Sequence, residues 1–128
     1  MCGILALASS KGYNLIEFIK KLEMLQHRGQ DSCGIAYTNN FNTDLISVHK
    51  QNSLVKDLLK TVTDINSRVF IGHTRYTTSG NRIKNKNDIS GVHPIVGHFK
   101  NQLFAFVFNG NIPFISHEYK TDTEFIKY

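Results

Sequence analysis

The chain opens with residues 1–8, MCGILALA, in which one cysteine precedes a short apolar run. Gly3 to Ala8 has the length of a buried strand and no helical repeat, so we predict a strand close to the amino terminus. No basic stretch precedes it, as a secretory signal would require, and the longest apolar run elsewhere is the six residues Leu103 to Phe108. A membrane-spanning helix needs roughly 20 apolar residues. We therefore expect no transmembrane segment and a cytoplasmic location.

The composition is that of one globular domain over residues 1–128, with 41% hydrophobic and 20% charged residues. Cys2 and Cys33 are expected to stay free thiols in a reducing compartment. The formal net charge is +5, and part of the excess lies in the polar stretch 81–86. A solvated basic loop is favoured there over a nucleic-acid site, since no recognition motif accompanies the charge.

Periodicity predicts a helix after the first strand. Asn14 stands where an N-cap would, Glu17 follows in the manner of a capping box, and Gly29 marks the end. Apolar residues recur on one face of this segment: Leu15, Ile19, Leu22 and Leu25. Cys33 to Thr38 and Leu45 to Lys50 then predict a hairpin with its turn around Asn39 to Thr43.

Further elements follow the same rules. A second helix is predicted from Ser53, on the spacing of Val55, Leu58, Leu59 and Val62. The remaining elements are a strand at Arg68 to Thr74, a long polar loop at Tyr76 to Ser90, and strands at Ile95 to Phe99 and Leu103 to Phe108 around the turn at Lys100 and Asn101. Thr121 and Glu124 form a second capping box. This pattern predicts an α+β domain with mostly antiparallel strand pairing.

Cys2 draws chemical interest because only Met1 precedes it. Removal of Met1 would give one residue both a thiol nucleophile and a free α-amine that can act as its base, and both groups titrate near neutral pH. These two letters alone are weak support, because a cytosolic protein can begin Met-Cys by chance and bury a small terminal residue.

Five blocks, in a fixed order, strengthen that interpretation: MCGI at 1–4, LQHRGQDSCGI at 25–35, IGHTRYTTSG at 71–80, FNGN at 108–111 and TDTE at 121–124. Together they resemble the class II glutamine amidotransferase domain, whose nucleophile is an amino-terminal cysteine. The wording LQHRGQDS is most similar to the amidophosphoribosyltransferase branch of purine synthesis. The resemblance implies an αββα sandwich of mostly antiparallel sheets.

The resemblance also implies a reaction. Cys2 matches the family nucleophile, which attacks the γ-amide carbon of glutamine, forms a thioester and releases ammonia before water frees glutamate. Asn109 and Gly110 match the donors that face the tetrahedral oxyanion. Asn-Gly is also the commonest hairpin turn signal, so a turn is the alternative interpretation of this pair.

Four further residues match substrate-binding positions of the family. Arg75 corresponds to the residue that grips the α-carboxylate of glutamine, for which guanidinium offers a bidentate fork, and Thr78 to a residue that lines the pocket. Asp122 corresponds to the carboxylate that holds the substrate ammonium, and Arg28 to a positive charge beside the nucleophile. Helix position offers an alternative for both, since Asp122 would open a helix and Arg28 would close one.

No cofactor is expected, and the histidines lack metal-ligand spacing, so no metal is expected either. We expect His73 to be a satisfied, partly buried side chain and Cys33 a buried thiol without function. Phe108 stands where the family commonly has histidine. This difference predicts altered hydrogen bonding before Asn109.

The resemblance ends early, because the family domain continues through further elements after the last matching block. We therefore expect a partial domain, incomplete at its carboxyl end, with a homo-oligomer or a separate acceptor (synthase) subunit as possible partners. The favoured function is glutamine hydrolysis. The alternative is a truncated, inactive remnant that acts as a binding or interaction module.

Overall fold

The computed structural model describes residues 1–39, 45–77 and 87–110. Six strands and one α-helix form within these ranges: β1 (Gly3–Asn14), α1 (Leu15–Glu23), β2 (Ser32–Thr38), β3 (Ile46–Gln51), β4 (Asn66–Arg75), β5 (Ile95–Phe99) and β6 (Gln102–Phe106). Two 3₁₀ turns lie at Gln26–Arg28 and Val55–Lys60. The expected α+β class with antiparallel sheets is thus observed.

The larger sheet has the strand order β1-β4-β2-β3, and every neighbouring pair is antiparallel. Thr74, near the end of the central strand β4, pairs with Gly3 on one side and with Cys33 on the other. The start of β1 therefore lies beside the carboxyl end of β4, at one end of the strands of the sheet. Strands β5 and β6 form a separate antiparallel hairpin.

Helix α1 covers one face of the larger sheet and closes the core. Its apolar stripe, Leu15, Phe18, Ile19 and Leu22, is fully buried, and the Phe18 ring stacks on Phe70 of β4 with 4.9 Å between centroids. A Cβ atom at Gly72 would lie 2.9 Å from a methyl group of Leu22, so glycine allows this close approach of helix and sheet. The core lies between α1 and β4.

The predicted helix start is confirmed, although its end is not. The Asn14 side chain accepts a hydrogen bond from the Glu17 N–H at 3.1 Å, but the Glu17 carboxylate contacts Lys20 instead of closing the capping box. The helix ends at Glu23, and the 3₁₀ turn Gln26–Arg28 replaces its expected last turn. The predicted helix end near Gly29 was therefore wrong, because α1 ends at Glu23 and Gly29 instead follows the 3₁₀ turn.

The second predicted helix is only the six-residue 3₁₀ turn Val55–Lys60. Its first N–H, that of Val55, is satisfied by the side-chain oxygen of Gln26 at 2.7 Å rather than by a side-chain cap from its own segment. The residues after it are Thr61, Val62 and Thr63, and β-branched side chains of this kind disfavour continuation as an α-helix.

Strand positions match the predictions better than strand lengths do. Strand β1 runs to Asn14 through an irregularity between Ala8 and Tyr13, where Gly12 has a φ of +84°. The turn at Lys100 and Asn101 is confirmed, with φ values of 46° and 64° that fit a tight hairpin turn. Strand β6 ends at Phe106, two residues before its predicted end.

Several sequence predictions fall outside the described ranges. These are most of the turn from Asn39 to Thr43, Thr78 and the basic stretch 81–86, and the last capping box with Asp122. Among the residues that the structure describes, no helix is long and apolar enough to cross a membrane.

Candidate active site at the amino terminus

Cys2 and Asn109 are joined by two hydrogen bonds. The Cys2 N–H donates to Asn109 Oδ1 at 3.4 Å, and Asn109 Nδ2 donates to the Cys2 carbonyl at 3.3 Å. Neither Asn109 nor the adjacent Gly110 has a positive φ, so the pair does not form the type I′ hairpin turn that was the alternative interpretation. The Asn109 side chain instead faces the predicted nucleophile.

The end of the sheet positions Cys2. The next residue, Gly3, donates its N–H to Thr74 Oγ1 at 3.1 Å, and that hydroxyl donates in turn to the Leu25 carbonyl at 3.3 Å. A Cβ atom at Gly3 would lie 2.6 Å from Thr74 Oγ1, so a larger residue would break this contact. The Cys2 thiol lies just beyond the sheet, partly exposed, with Sγ 3.9 Å from the Tyr76 carbonyl.

Arg28 reaches the same residue from the 3₁₀ turn. Its Nε donates to the Cys2 carbonyl at 3.2 Å, and its Nη2 lies 3.9 Å from the Met1 sulfur. The Cys2 carbonyl therefore accepts from both Arg28 and Asn109. The guanidinium is directed at the amino terminus, and this contact places its positive charge beside Cys2.

Arg75 is the last residue of β4 and is held at both ends. Its carbonyl accepts from the Asp31 N–H at 3.0 Å, and its Nη1 donates to the Gly91 carbonyl at 3.0 Å. A Cβ atom at Gly29 would lie 2.5 to 2.7 Å from Arg75 main-chain atoms, so only glycine allows that close approach. The next residue, Tyr76, carries the carbonyl that contacts the Cys2 thiol. Arg75 therefore directly precedes the residue whose carbonyl contacts the Cys2 thiol.

Asp31 was not singled out by sequence, although it lies in the second motif block. Its carboxylate accepts from the Thr77 N–H at 2.6 Å, so Asp31 fixes the start of the polar loop through a second bond besides the one to Arg75. In the sequence, Asp31 is marked only by its position directly before strand β2. Thr78, which follows Thr77, and Asp122 lie outside the described residues.

Two buried histidines hold the main chain just before Asn109. His73 Nε2 lies 3.2 Å from the Phe108 carbonyl, and the Phe108 N–H donates to His93 Nδ1 at 3.3 Å. These bonds replace the strand ladder, which explains why β6 ends early. His73 was expected to be partly buried and satisfied, but it is fully buried, and its Nδ1 has no hydrogen-bond partner among the described residues. Neither its bond to Phe108 nor the contact of His93 carried a signal in the sequence.

Burial also controls the charge of these rings. Burial, with a smaller contribution from the positive charge of Arg75, lowers the pKa of His73 to about 4 and that of His93 to about 3. Both rings are therefore neutral at pH 7. At His73 the Phe108 carbonyl acts in the opposite direction by favouring the protonated ring, but desolvation has the larger effect on its pKa.

The second cysteine is in a different environment. Cys33 is fully buried, its Sγ lies 3.3 Å from the Ser53 carbonyl, and burial raises its pKa to about 12. The expected inert thiol is in accord with these surroundings. Within the described ranges, no group of three or more His, Cys, Asp and Glu side chains is arranged to hold a metal ion.

Comparison with known proteins finds similar enzymes that share one name. The chain is 34% identical over 130 residues to the glutamine–fructose-6-phosphate aminotransferase of Listeria innocua, a match that covers 98% of this chain and 20% of that protein. The enzymes of the same name from Sulfolobus acidocaldarius and Staphylococcus aureus are 36% and 39% identical over 84 residues, or 62% of this chain. No family model and no solved structure matches the chain.

These relatives support a class II glutamine amidotransferase domain, as the five motif blocks imply. The chain spans about a fifth or less of the length of the relatives it matches. The particular proteins it resembles are named for fructose 6-phosphate, and the finer expectation of an amidophosphoribosyltransferase of purine synthesis finds no support among them.

Proposed function

We propose that this chain is a glutaminase domain that hydrolyses glutamine to glutamate and ammonia, with Cys2 as nucleophile. The observation that carries the proposal is the pair of hydrogen bonds between Cys2 and Asn109, which aligns a thiol-bearing residue with a side-chain amide donor. The enzymes to which the chain is similar take glutamine as a substrate by name, which agrees with this chemistry.

The reaction requires Met1 to be removed. With Met1 present, the Cys2 nitrogen belongs to a peptide bond and cannot accept a proton. Met1 is 74% exposed, so a peptidase can reach it. The freed α-amine would then take the thiol proton, while Asn109 Oδ1, which now accepts from the Cys2 N–H, would orient that amine.

The chemical steps balance within the site. The Cys2 sulfur forms a bond to the side-chain amide carbon of glutamine, the carbon–nitrogen bond breaks, and the α-ammonium returns its proton to the departing ammonia. Water then adds to the thioester, the carbon–sulfur bond breaks, and glutamate and the thiol are released. The amine acts as base for water and returns the proton to sulfur.

Charge that develops on the amide oxygen needs aimed donors. A side-chain amide carries two N–H bonds, of which one in Asn109 already donates to the Cys2 carbonyl. We assign the other, together with the Gly110 N–H, to the oxyanion. The position of Asn109 beside Cys2 supports this assignment.

Arg75 is assigned to the α-carboxylate of glutamine, with Thr78 lining the pocket, Asp122 holding the α-ammonium, and Arg28 contributing positive charge at the nucleophile. Support for Arg75 comes from its anchored guanidinium, which Gly91 holds through one nitrogen, so that the rest of the planar fork can face a ligand. For Thr78 and Asp122 the support is the motif alone.

The names of the relatives suggest fructose 6-phosphate as the acceptor of ammonia. The motif LQHRGQDS instead suggests a phosphoribosyl acceptor. We infer that either acceptor would be bound by another domain, a separate chain or a second copy of this one. Glutamine hydrolysis without any acceptor is the minimal activity that both alternatives share.

The test is the intact mass of the purified chain before and after exposure to an electrophilic glutamine analogue, with ammonia release measured in parallel. We expect loss of Met1, one adduct and measurable ammonia. Cys2→Ala should abolish adduct and ammonia, while Cys33→Ser, the matched control, should keep both. A folded chain that retains Met1 or takes no adduct would favour the inactive binding module, and unchanged ammonia release by Cys2→Ala would remove Cys2 from the mechanism.

A further inference from the structure

Both main-chain polar groups of Phe108 are bonded to imidazole rings. His73 and His93 are 1% and 6% exposed, and their ring centroids lie 4.4 Å apart. One ring contacts the Phe108 carbonyl at 3.2 Å and the other contacts its N–H at 3.3 Å. A strand residue would satisfy these groups with a neighbouring strand, so the two side chains replace a local piece of sheet.

The chemistry of a peptide group determines which ring nitrogens carry protons. A peptide N–H only donates and a carbonyl only accepts, so His93 Nδ1 is unprotonated and His73 Nε2 carries a proton. Each neutral ring is thus the tautomer with its proton on Nε2. His73 Nδ1 is buried without a hydrogen-bond partner among the described residues, which agrees with an unprotonated nitrogen at that position.

These bonds orient the residue that follows. A peptide group is planar, so a fixed Phe108 carbonyl also fixes the direction of the Asn109 N–H and the position of the Asn109 Cα. The Asn109 side chain contacts Cys2 directly after this anchored peptide. The two rings therefore control where the amide donor of Asn109 can lie.

We propose that His73 and His93 are positioning residues for Asn109 and act on it through the main chain of Phe108. The part of this inference that concerns turnover rests on the proposed function. The geometric part, that loss of either ring displaces the Asn109 amide, does not depend on activity. Neither histidine contacts Cys2 in the structure, so neither is assigned a catalytic role.

The contribution of His93 depends on its charge. Protonation of Nδ1 would direct a second N–H at the Phe108 N–H and break the bond. Among the described residues, the charged or titratable groups that act on the His93 ring are His73, Arg75 and Lys50, and all three disfavour its cation. We expect the arrangement to persist throughout the neutral pH range.

Two kinds of variant separate positioning from mere filling of space. His93→Asn keeps an acceptor near the Nδ1 position and His73→Gln keeps a donor near the Nε2 position, whereas His93→Leu and His73→Leu remove them. His49→Phe is the control, since His49 is a part-buried histidine that contacts Tyr37 away from Phe108. All variants are made in the full chain, and Met1 removal is confirmed by mass.

The first readout is turnover. We expect His93→Leu and His73→Leu to lower kcat for glutamine by about tenfold or more, with KM within about threefold, because a small displacement of an oxyanion donor acts on the transition state. His93→Asn, His73→Gln and His49→Phe should stay within about threefold of the wild type. A leucine variant with unchanged kcat would overturn the proposal.

The second readout is the Asn109 side-chain amide resonance, assigned by its loss in Asn109→Ala. We expect it to shift in both leucine variants and to stay in place in the Asn, Gln and His49→Phe variants. Ring ¹⁵N spectra should show His73 and His93 with their protons on Nε2. An inactive wild type with these spectra would refute the proposed function alone, while an unmoved Asn109 resonance in the leucine variants would refute the positioning role itself. If a leucine variant does not fold, the wild-type tautomers and the conservative variants decide, since a proton on His93 Nδ1 would contradict the arrangement.

Discussion

Asn109 forms two hydrogen bonds with the main chain of Cys2, a residue 107 positions earlier in the chain. The amide oxygen accepts from the Cys2 nitrogen and the amide nitrogen donates to the Cys2 carbonyl, so Asn109 and Cys2 hold each other in one orientation. The segment after β6 is thereby attached to the end of the larger sheet. This contact brings the predicted nucleophile and the predicted oxyanion donor into one site.

The two roles of Asn109 can be separated by one pair of variants. Asn109→Asp keeps an oxygen that accepts from Cys2 but has no donor, whereas Asn109→Ala has neither. If the donor stabilises the oxyanion, both variants should lower kcat by about 10²–10³. The measurement is steady-state ammonia release, with the melting temperature as a folding control. An Asp variant with near wild-type kcat would mean that Asn109 serves only to align Cys2.

Arg75 should govern affinity for glutamine. Arg75→Lys keeps the charge but loses the planar fork, so we expect KM to rise by about tenfold or more with a smaller change in kcat. Gly91→Ala is a milder test through the same group, because its Cβ would lie 3.1 Å from Arg75 Nη1 and would require the guanidinium to shift slightly. Gly12→Ala, at a glycine far along β1 from this contact, controls for a general loss of stability. Unchanged KM in both Arg75→Lys and Gly91→Ala would remove Arg75 from substrate binding.

The two thiols should differ in reactivity. Burial raises the pKa of Cys33 to about 12, so it stays protonated at pH 8 and is shielded from reagents, whereas Cys2 is partly exposed. We expect a small alkylating reagent to add once to the native chain and twice to the chain in denaturant. Peptide mapping should find the native adduct on Cys2. Alkylation of native Cys33 at a comparable rate would mean that its part of the core opens readily.

Stability should fall as the solution is acidified. The folded-state pKa values of His73 and His93 lie near 4 and 3, below the ordinary value of 6.5, so between those limits the unfolded chain binds protons that the folded chain does not. This contribution to the free energy of unfolding is fully present above about pH 6.5 and is lost as the pH falls towards 3. Melting temperatures at pH 7, 5.5 and 4.5 measure the loss.

The control for this pH effect is the double variant His73→Gln/His93→Asn, which keeps one donor and one acceptor but cannot titrate in this range. Its melting temperature should fall less between pH 7 and 4.5 than that of the wild type. Parallel pH profiles for the two proteins would contradict buried neutral histidines at these positions. Carboxylates and other histidines contribute equally to both profiles, so the difference reports on this pair.

Local sequence patterns predicted the elements that depend on neighbours in the chain. The Asn14 cap and the turn at Lys100 and Asn101 rely on backbone groups within a few residues, so their signals are short and readable. Lengths were less predictable. The short 3₁₀ turn that stands in place of the second predicted helix starts with a hydrogen bond from Val55 to the distant Gln26, and β6 ends where two histidines from other segments bind Phe108.

The candidate site was predictable in a different way. Cys2, Arg28, Arg75, Asn109 and Gly110 were predicted from motif resemblance, and no periodicity or spacing rule brings them together. Asp31, Gly91 and His93 were missed, because each acts through a main-chain contact with a residue distant in sequence. A lone aspartate, glycine or histidine carries no local mark of such a contact.

The amino-acid sequence by itself determined the α+β class, the helix start at Asn14, the positions of the strands and the chemical types of the side chains available to the candidate site. The tertiary structure alone decided that Cys2 contacts Asn109 and that His73 and His93 hold Phe108. The physical reason is the strand order β1-β4-β2-β3, which places the first strand beside the end of β4. Hydrogen bonds across such distances depend on how the sheet assembles, whereas caps and turns depend only on adjacent residues.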